Sequence, residues 1–483
     1  MEWYWILAAL LGSILCLMFL GFPVGIAFIV VNTVAAFFLF GRFEEFDRNL
    51  EASVFQLTDN AFANMANFAI VPIPKFVLMG ELFFHTGLAS RMFNAIEQLM
   101  GRVPARLSYV TVAGGTAFAT LSGSSMGSTA LLGTLMVPEM TRRGYKKSMS
   151  IGPILGTGGL AMLIPPSALA VLLGTLAELD IGRLLIAGIL PGLLLACLYV
   201  VLIFARATLD PDAAPAYDVT YVPWSQRVRL LLVDVLPMVS IIFLVILLIM
   251  FGVATPSESA AYGSLGVILL ALVYLFLAPT LYGLFLALTN GGTAEREAAF
   301  AAARAFWGNF GEALWKSLWG AARVTIVALL ILFGSSLFSN VLAASQASVR
   351  LIEWVTGFGV SGYVMLLIMF GILLVLGMFM DQLAMMLLTV PIFFPIIQGI
   401  DFGIAPDMKL IWFAVIMLLA MEISFTTPPF GLLLFVMQGV APPGTRFGEI
   451  CIAAVPFMAC ALLVVALIVL FPPIATWLPS LGR

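Results

Sequence analysis

Residues 122–128 read SGSSMGS, seven small or flexible residues set between the apolar runs AGGTAFATL and TALLGTLMV. Glycine and serine let a chain turn tightly and leave backbone carbonyls without helical partners. A bilayer core offers nothing to solvate such groups, so a break of this kind is tolerated only where it is buried in protein or lines a polar cavity. The surrounding segment, 103–141, therefore reads as two half-membrane helices joined at a tip. That is a re-entrant hairpin, whose two ends emerge on one face.

Composition puts the hairpin in a membrane. Of 483 residues, 62% are hydrophobic and only 10% charged, and the mean hydropathy of +1.13 lies far above that of a soluble domain. Windows of about 20 apolar residues, the length of a spanning helix, are expected near 5–21, 24–40, 68–87, 149–178, 184–205, 230–252, 257–277, 324–345, 409–440 and 450–472. A cytoplasmic connector is expected at 211–229. The first run follows MEWYW without a basic stretch or a small-residue cleavage site, so it reads as a retained span with an aromatic interfacial anchor. A net charge of -3 gives no basic surface for nucleic acid. Cys16, Cys197, Cys451 and Cys460 lie in apolar spans without a CxxC or a His/Cys cluster, and are assigned neither a metal nor a disulfide.

The chain repeats itself. IEQLMG (96–101), Tyr109, Val137-Pro138 and Pro165-Pro166 are matched in order by IEWVTG (352–357), Tyr363, Val390-Pro391 and Pro428-Pro429. This register makes 361–397, which contains MDQ, a second hairpin, and aligns Asp381 with Ser128. The flanks of the first hairpin, GRVPAR (101–106) and TRRGYKK (141–147), carry six basic residues, whereas GFGVSG (357–362) and QGIDFGIAPDMK (398–409) carry Asp401 and Asp407 against Lys409. By the positive-inside rule the first hairpin opens to the cytoplasm and the second to the periplasm. The expected fold is all-α and polytopic, with two inverted repeats at 1–210 and 230–483, each with a hairpin and a proline-broken helix (149–178 and 409–440), as in secondary transporters.

LIPPSAL (163–169) and FTTPPFGL (425–432) carry the breaks. A double proline removes two amide donors and clashes with the preceding turn, leaving carbonyls exposed beside Ser167 in one helix and Thr426 and Thr427 in the other. Hard cations take carbonyl and hydroxyl oxygens, so two hairpin tips facing two breaks would make a cage for dehydrated sodium, with Ser122, Ser124 and Ser125 adding hydroxyls. The plainer reading is close helix packing, with serines bonded to the preceding turn and prolines that merely kink. Asp381 reads either as a functional carboxylate or as a helix cap, and Glu422 as a cation partner or a protonated acid. Glu81 and His85, one turn apart, read as a plain hydrogen-bonded pair. GSSMG (123–127) matches the nucleophile elbow of serine hydrolases, but helical sequence flanks it on both sides where the elbow needs a strand. There is no P-loop motif, so an ion gradient or a partner protein must supply the energy; an ion channel would not explain the duplicated hairpin and break.

SGSSMGSTALLGTLMVPEMTRRGY, the PPS at 165–167, LLIAGILPGLLLA (184–196), GVATPSESAA (252–261), GMFMDQLAMMLLTVPIFFPI (377–396) and TPPFGLLLFV (427–436) resemble the large membrane subunit of tripartite ATP-independent periplasmic transporters, the DctM family. The resemblance implies a sodium-coupled elevator in the bacterial or archaeal inner membrane. Its expected partners are a small four-helix membrane subunit and a periplasmic binding protein, and its cargo small organic acids. It also implies sodium ligands at Ser122, Gly123, Ser124, Ser125, Pro165, Ser167, Asp381, Thr426, Thr427, Pro428 and Gly431, and substrate contacts at Ser125, Ser128, Ser167 and Thr427. SMGST after the first SGS, and Ser424 where relatives often carry glycine, depart from the family pattern. Segment 278–323 reads as an amphipathic interfacial helix or a bare cytoplasmic connector. A stand-alone sodium-dicarboxylate carrier of related architecture is the competing reading.

Overall fold

The computed structural model describes residues 3–39, 46–65, 70–101, 103–122, 125–215, 222–277, 281, 293–346, 350, 353–354, 361–428, 431–442 and 444–481. Every regular element among them is helical. The chain opens with α1 (Trp3–Phe19), α2 (Val24–Leu39), α3 (Phe46–Met65), α4 (Pro72–His85) and α5 (Leu88–Leu99). The first hairpin is α6 (Arg106–Ser122) and α7 (Ser125–Arg142), and the first broken helix is α8 (Lys147–Gly159) and α9 (Ala168–Leu176). α10 (Ile181–Ala187) and α11 (Ile189–Leu209) follow. The second half runs through α12 (Trp224–Arg229), α13 (Leu236–Met250), α14 (Pro256–Ala271) and α15 (Thr293–Ala344) to a hairpin of α16 (Gly362–Phe379) and α17 (Gln382–Gly399). The second broken helix is α18 (Pro406–Thr426) and α19 (Leu432–Val440); α20 (Phe447–Leu470) and α21 (Pro473–Leu481) end the chain.

Seven helices among the described residues are long and apolar enough to cross a membrane. Several expected spans fall short of that length because α1, α2 and α4 are shorter helices and the proline break cuts 149–178 into pieces. α14 shows how local sequence sets a boundary. Thr255 accepts from the Glu258 amide, Glu258 accepts from the Thr255 amide, and Pro256 occupies the first turn, where its missing amide costs nothing.

The repeats are visible as equal lengths. α7 and α17 have 18 residues each, and α9 and α19 have nine each. Their packing is reciprocal, since α7 of the first hairpin packs on α19 of the second repeat while α17 of the second hairpin packs on α9 of the first. α8 and α18 lie at the centre. All residues from Met149 to Gly159 and from Ile411 to Thr426 are buried, as expected for helices apolar all round.

Four expectations are corrected. α7 begins at 125 and α17 at 382, so the structural register places Asp381 opposite Ser124, not Ser128. The sequence match had paired Pro138 with Pro391, whereas Pro395 holds the equivalent fourteenth position in its helix. The hairpin arms, at 17 or 18 residues, are about 26 Å long, most of the hydrocarbon thickness and not half of it. No helix end falls near 323. α15 runs unbroken for 52 residues, because nothing between 293 and 344 is a proline and the run is rich in alanine; residues 278–280 and 282–292 of the expected amphipathic segment lie outside the described residues. The connector, finally, is already helical from Trp224.

α5, which no reading anticipated, buries Leu88, Met92, Phe93 and Ile96 on one face and presents Arg91 on the other. Two π-helical turns, Leu230–Val235 and Leu272–Leu277, bring Asp234 and Tyr274 to that arginine. Its Nε donates to Asp234 at 2.5 Å and its guanidinium lies 4.7 Å from the Tyr274 ring centroid. The cytoplasmic-type basic flank is extensively ion-paired, with Arg142 and Arg143 on Glu139, Lys146 on Asp210 and Lys147 on Glu449.

Candidate functional site

Both double prolines break their helices where the sequence demands it. α8 tightens into a 3-10 turn at Leu160–Met162, and the chain then runs unwound through Leu163 and the prolines to Ser167, the N-cap of α9. The fully buried Ser167 hydroxyl accepts from the Ala170 amide at 3.2 Å. Pro165 is buried within that unwound run. In the second repeat α18 ends at Thr426, and α19 begins after Gly431. The Gly431 amide donates to the Thr427 carbonyl at 3.0 Å, and a Cβ at 431 would run into the Phe425 carbonyl, so only glycine closes this turn.

The hydroxyls and carboxylates divide into satisfied and unsatisfied groups. Asp381 caps α17, its Oδ1 accepting from the Ala384 amide at 2.7 Å. Thr427, half-buried and followed by half-buried Pro428, donates to the Ile423 carbonyl at 2.7 Å, and Thr426 to the same oxygen at 3.0 Å. Ser125 starts α7 with its Oγ buried and without a partner among the described residues, and Thr129, one turn on, has its buried Oγ1 in the same state. Ser128 is buried beside them on α7. Ser122 closes α6, while Gly123 and Ser124 lie outside the described residues.

The tips meet the breaks. A side chain at Gly158, at the end of α8, would collide with the Thr129 hydroxyl and press on Leu433 of α19. The absence of one lets the tip end of α7 sit between both broken helices. From the other hairpin, buried Gln382 directs Nε2 to the Met162 sulfur at 3.2 Å, tying the second tip to the first break. Thr426 also lines a small cavity of about 10 Å³, together with Glu422, Tyr199 and Phe457.

Residues 11–474 match the model of the family described as "Tripartite ATP-independent periplasmic transporter, DctM component". The chain belongs to the DctM family. It is 30% identical over 429 residues to the C4-dicarboxylate TRAP transporter large permease protein DctM of Pseudomonas aeruginosa, covering 89% of this chain and 90% of that one. It is 27% identical over 477 residues to the sialic acid TRAP transporter large permease protein SiaM of Vibrio cholerae, covering 98% and 99%. In fold it resembles the Alcanivorax borkumensis YdaH transporter, with a TM-score of 0.50 and 13% identity over 89% and 90% of the chains. A DctM protein is a multi-pass transporter of the bacterial inner membrane, not an enzyme, so the GSSMG elbow is a chance match. The family's tripartite organisation implies a small membrane subunit and a periplasmic binding protein beside it.

Sequence reasoning missed Thr129 and Gln382. Thr129 follows the Gly/Ser stretch inside an apolar run, and its spacing from Ser125, four residues on a helix, was the available signal. Nothing local marks Gln382, whose partner lies 220 residues away. Glu81 and His85 form the expected pair at 3.1 Å on α4.

Proposed function

We propose that this chain is the sodium-coupled permease subunit of a tripartite transporter that imports small organic acids delivered by a periplasmic binding protein. The observation that carries the reading is the pair of buried hydroxyls of Ser125 and Thr129, without a partner among the described residues and set where the first hairpin meets both broken helices. Buried hydroxyls ordinarily bond back to the preceding turn. Two that do not, set against the last turn of α8 beside Gly158, suit a dehydrated hard cation, which takes hydroxyl and carbonyl oxygen. Ser122, Gly123 and Ser124 at the first tip, Pro165 and Ser167 at the first break, Asp381 at the second tip, and Thr427, Pro428 and Gly431 at the second break would complete two such sites. Thr426, expected in the same set, is left out of this proposal because it lines the Glu422 cavity.

No arginine lies in either break, so a substrate carboxylate would be held by amides and hydroxyls from Ser125, Ser128, Ser167 and Thr427, near helix N-termini and the bound sodium. Relatives named for C4-dicarboxylates and for sialic acid share the carboxylate and little else. The reciprocal packing of hairpins on the opposite repeat makes one body of the four broken elements, which in our reading slides as an elevator against the helices around it.

The test is uptake of labelled organic acids into proteoliposomes holding the chain, its small subunit and a candidate binding protein, with sodium or potassium outside. Uptake that requires both sodium and the binding protein is expected. Uptake by this chain alone would turn the reading to a stand-alone carrier, and flux indifferent to sodium would sink the cation cage.

A further inference from the structure

Glu422 is the one acidic side chain in α18 beyond its first turn. It is 4% exposed, and its Oε2 has no hydrogen-bond partner among the described residues. No lysine or arginine lines the cavity beside it. The other lining residues are Leu155 and Gly156 of α8, Tyr199 of α11, Ile423 and Thr426 of α18, and Ala454, Phe457, Met458 and Ala461 of α20. The titratable groups that interact here are Tyr199 and, beyond it, Cys460 on α20; Arg206, two turns along α11, acts on Cys460. The cavity, about 10 Å³, has room for about one water.

The position is also set by the repeat. The double prolines lie 263 residues apart, and the same offset maps Glu422 onto Gly159. These two residues touch, since a side chain at 159 would occupy the space of the Glu422 carboxyl. The second repeat thus supplies a carboxyl where the first supplies a hole, at the point where the two central helices cross.

We propose that Glu422 is a proton-binding site of the transport core, present as the neutral acid and exchanging its proton through a water admitted to the cavity. An unpaired carboxylate in a dry site is stable only with a cation or a proton. A sodium ion needs room for a shell of several converging oxygens, whereas this cavity, about 10 Å³ between mostly apolar walls, has room for about one water. A proton needs one oxygen and one water. The step is the transfer of one proton from hydronium, passed in through that water and leaving neutral water behind, to Glu422 Oε2, which becomes the O–H of a neutral carboxylic acid. It does not depend on sodium binding at the hairpin tips.

Infrared difference spectra of the full chain in nanodiscs test this directly. At neutral pH in potassium, a protonated-carboxyl stretching band is expected that is lost in E422Q and kept in E139Q, whose carboxyl pairs with Arg142 and Arg143. It should vanish reversibly on alkaline titration. A spectrum in which E422Q removes no such band overturns the proposal. So does a band that vanishes when sodium replaces potassium at constant pH, which would make the carboxylate a cation ligand. Should E422Q fail to fold, E422D on the same scaffold must shift the band; an unmoved band counts against Glu422.

Discussion

Ser125 and Thr129 carry hydroxyls that cost stability wherever they sit unpaired in a dry interior, by roughly 1–3 kcal/mol each. This gives the cation reading a two-sided test in T129V, which removes the oxygen and keeps the shape. In potassium the variant is expected to match or exceed the parent in thermal stability. In sodium it should lose much of the ion's stabilisation, with half-saturating sodium raised about tenfold or more, as loss of a hydrogen-bond-strength contact to a charge implies. A T129V protein less stable in potassium and unchanged in sodium response would make Thr129 a packing residue. Asp381 is separable by the same logic. Its cap to Ala384 is kept in D381N and lost in D381A, where about 1 kcal/mol should go. If its carboxylate also serves sodium, D381N alone weakens sodium-dependent uptake, and an unimpaired D381N reduces Asp381 to a cap.

At the level of elements, the breaks were legible because their cause is local: a double proline unwinds a helix wherever it falls, and Gly/Ser runs turn. The register between repeats was not, since Val137-Pro138 and Val390-Pro391 match as letters although Pro395 holds the equivalent helical position. Neither Thr129 against Gly158 nor Glu422 against Gly159 leaves any trace in sequence, because each is a contact between helices. The second contact predicts a coupled pair. G159A should destabilise the protein by about 1–3 kcal/mol through overpacking, and markedly less in an E422A background, read as apparent Tm of the four proteins of the cycle. Equal losses in both backgrounds would deny the crossing of α8 and α18. α15 offers a simpler check. Ala322 is exposed near the boundary expected between connector and span, and a proline there should cost about 3 kcal/mol or more if the helix is continuous, against almost nothing at a true joint.

For the whole molecule, the reciprocal contacts distinguish what moves together from what moves apart. Val440 of α19 packs against Gly133 of α7, joining the two repeats within the central body. Phe84 of α4 meets Phe118 of the first hairpin at 6.2 Å between ring centroids, joining that body to the helices around it. Cysteine pairs at 133/440 and at 84/118, in a chain whose four native cysteines are replaced, can be bridged by a short bis-methanethiosulfonate, which forms reducible disulfides, and assayed for sodium-driven uptake. If the hairpins and broken helices travel as one unit, the 133/440 bridge leaves most of the transport intact. The 84/118 bridge stops it and reduction restores it, because a carrier held to its frame cannot expose its site to both sides. Full transport through an intact 84/118 bridge would mean that the hairpins open in place against a fixed core. The coupling of sodium to substrate would then have to reside in the tips alone.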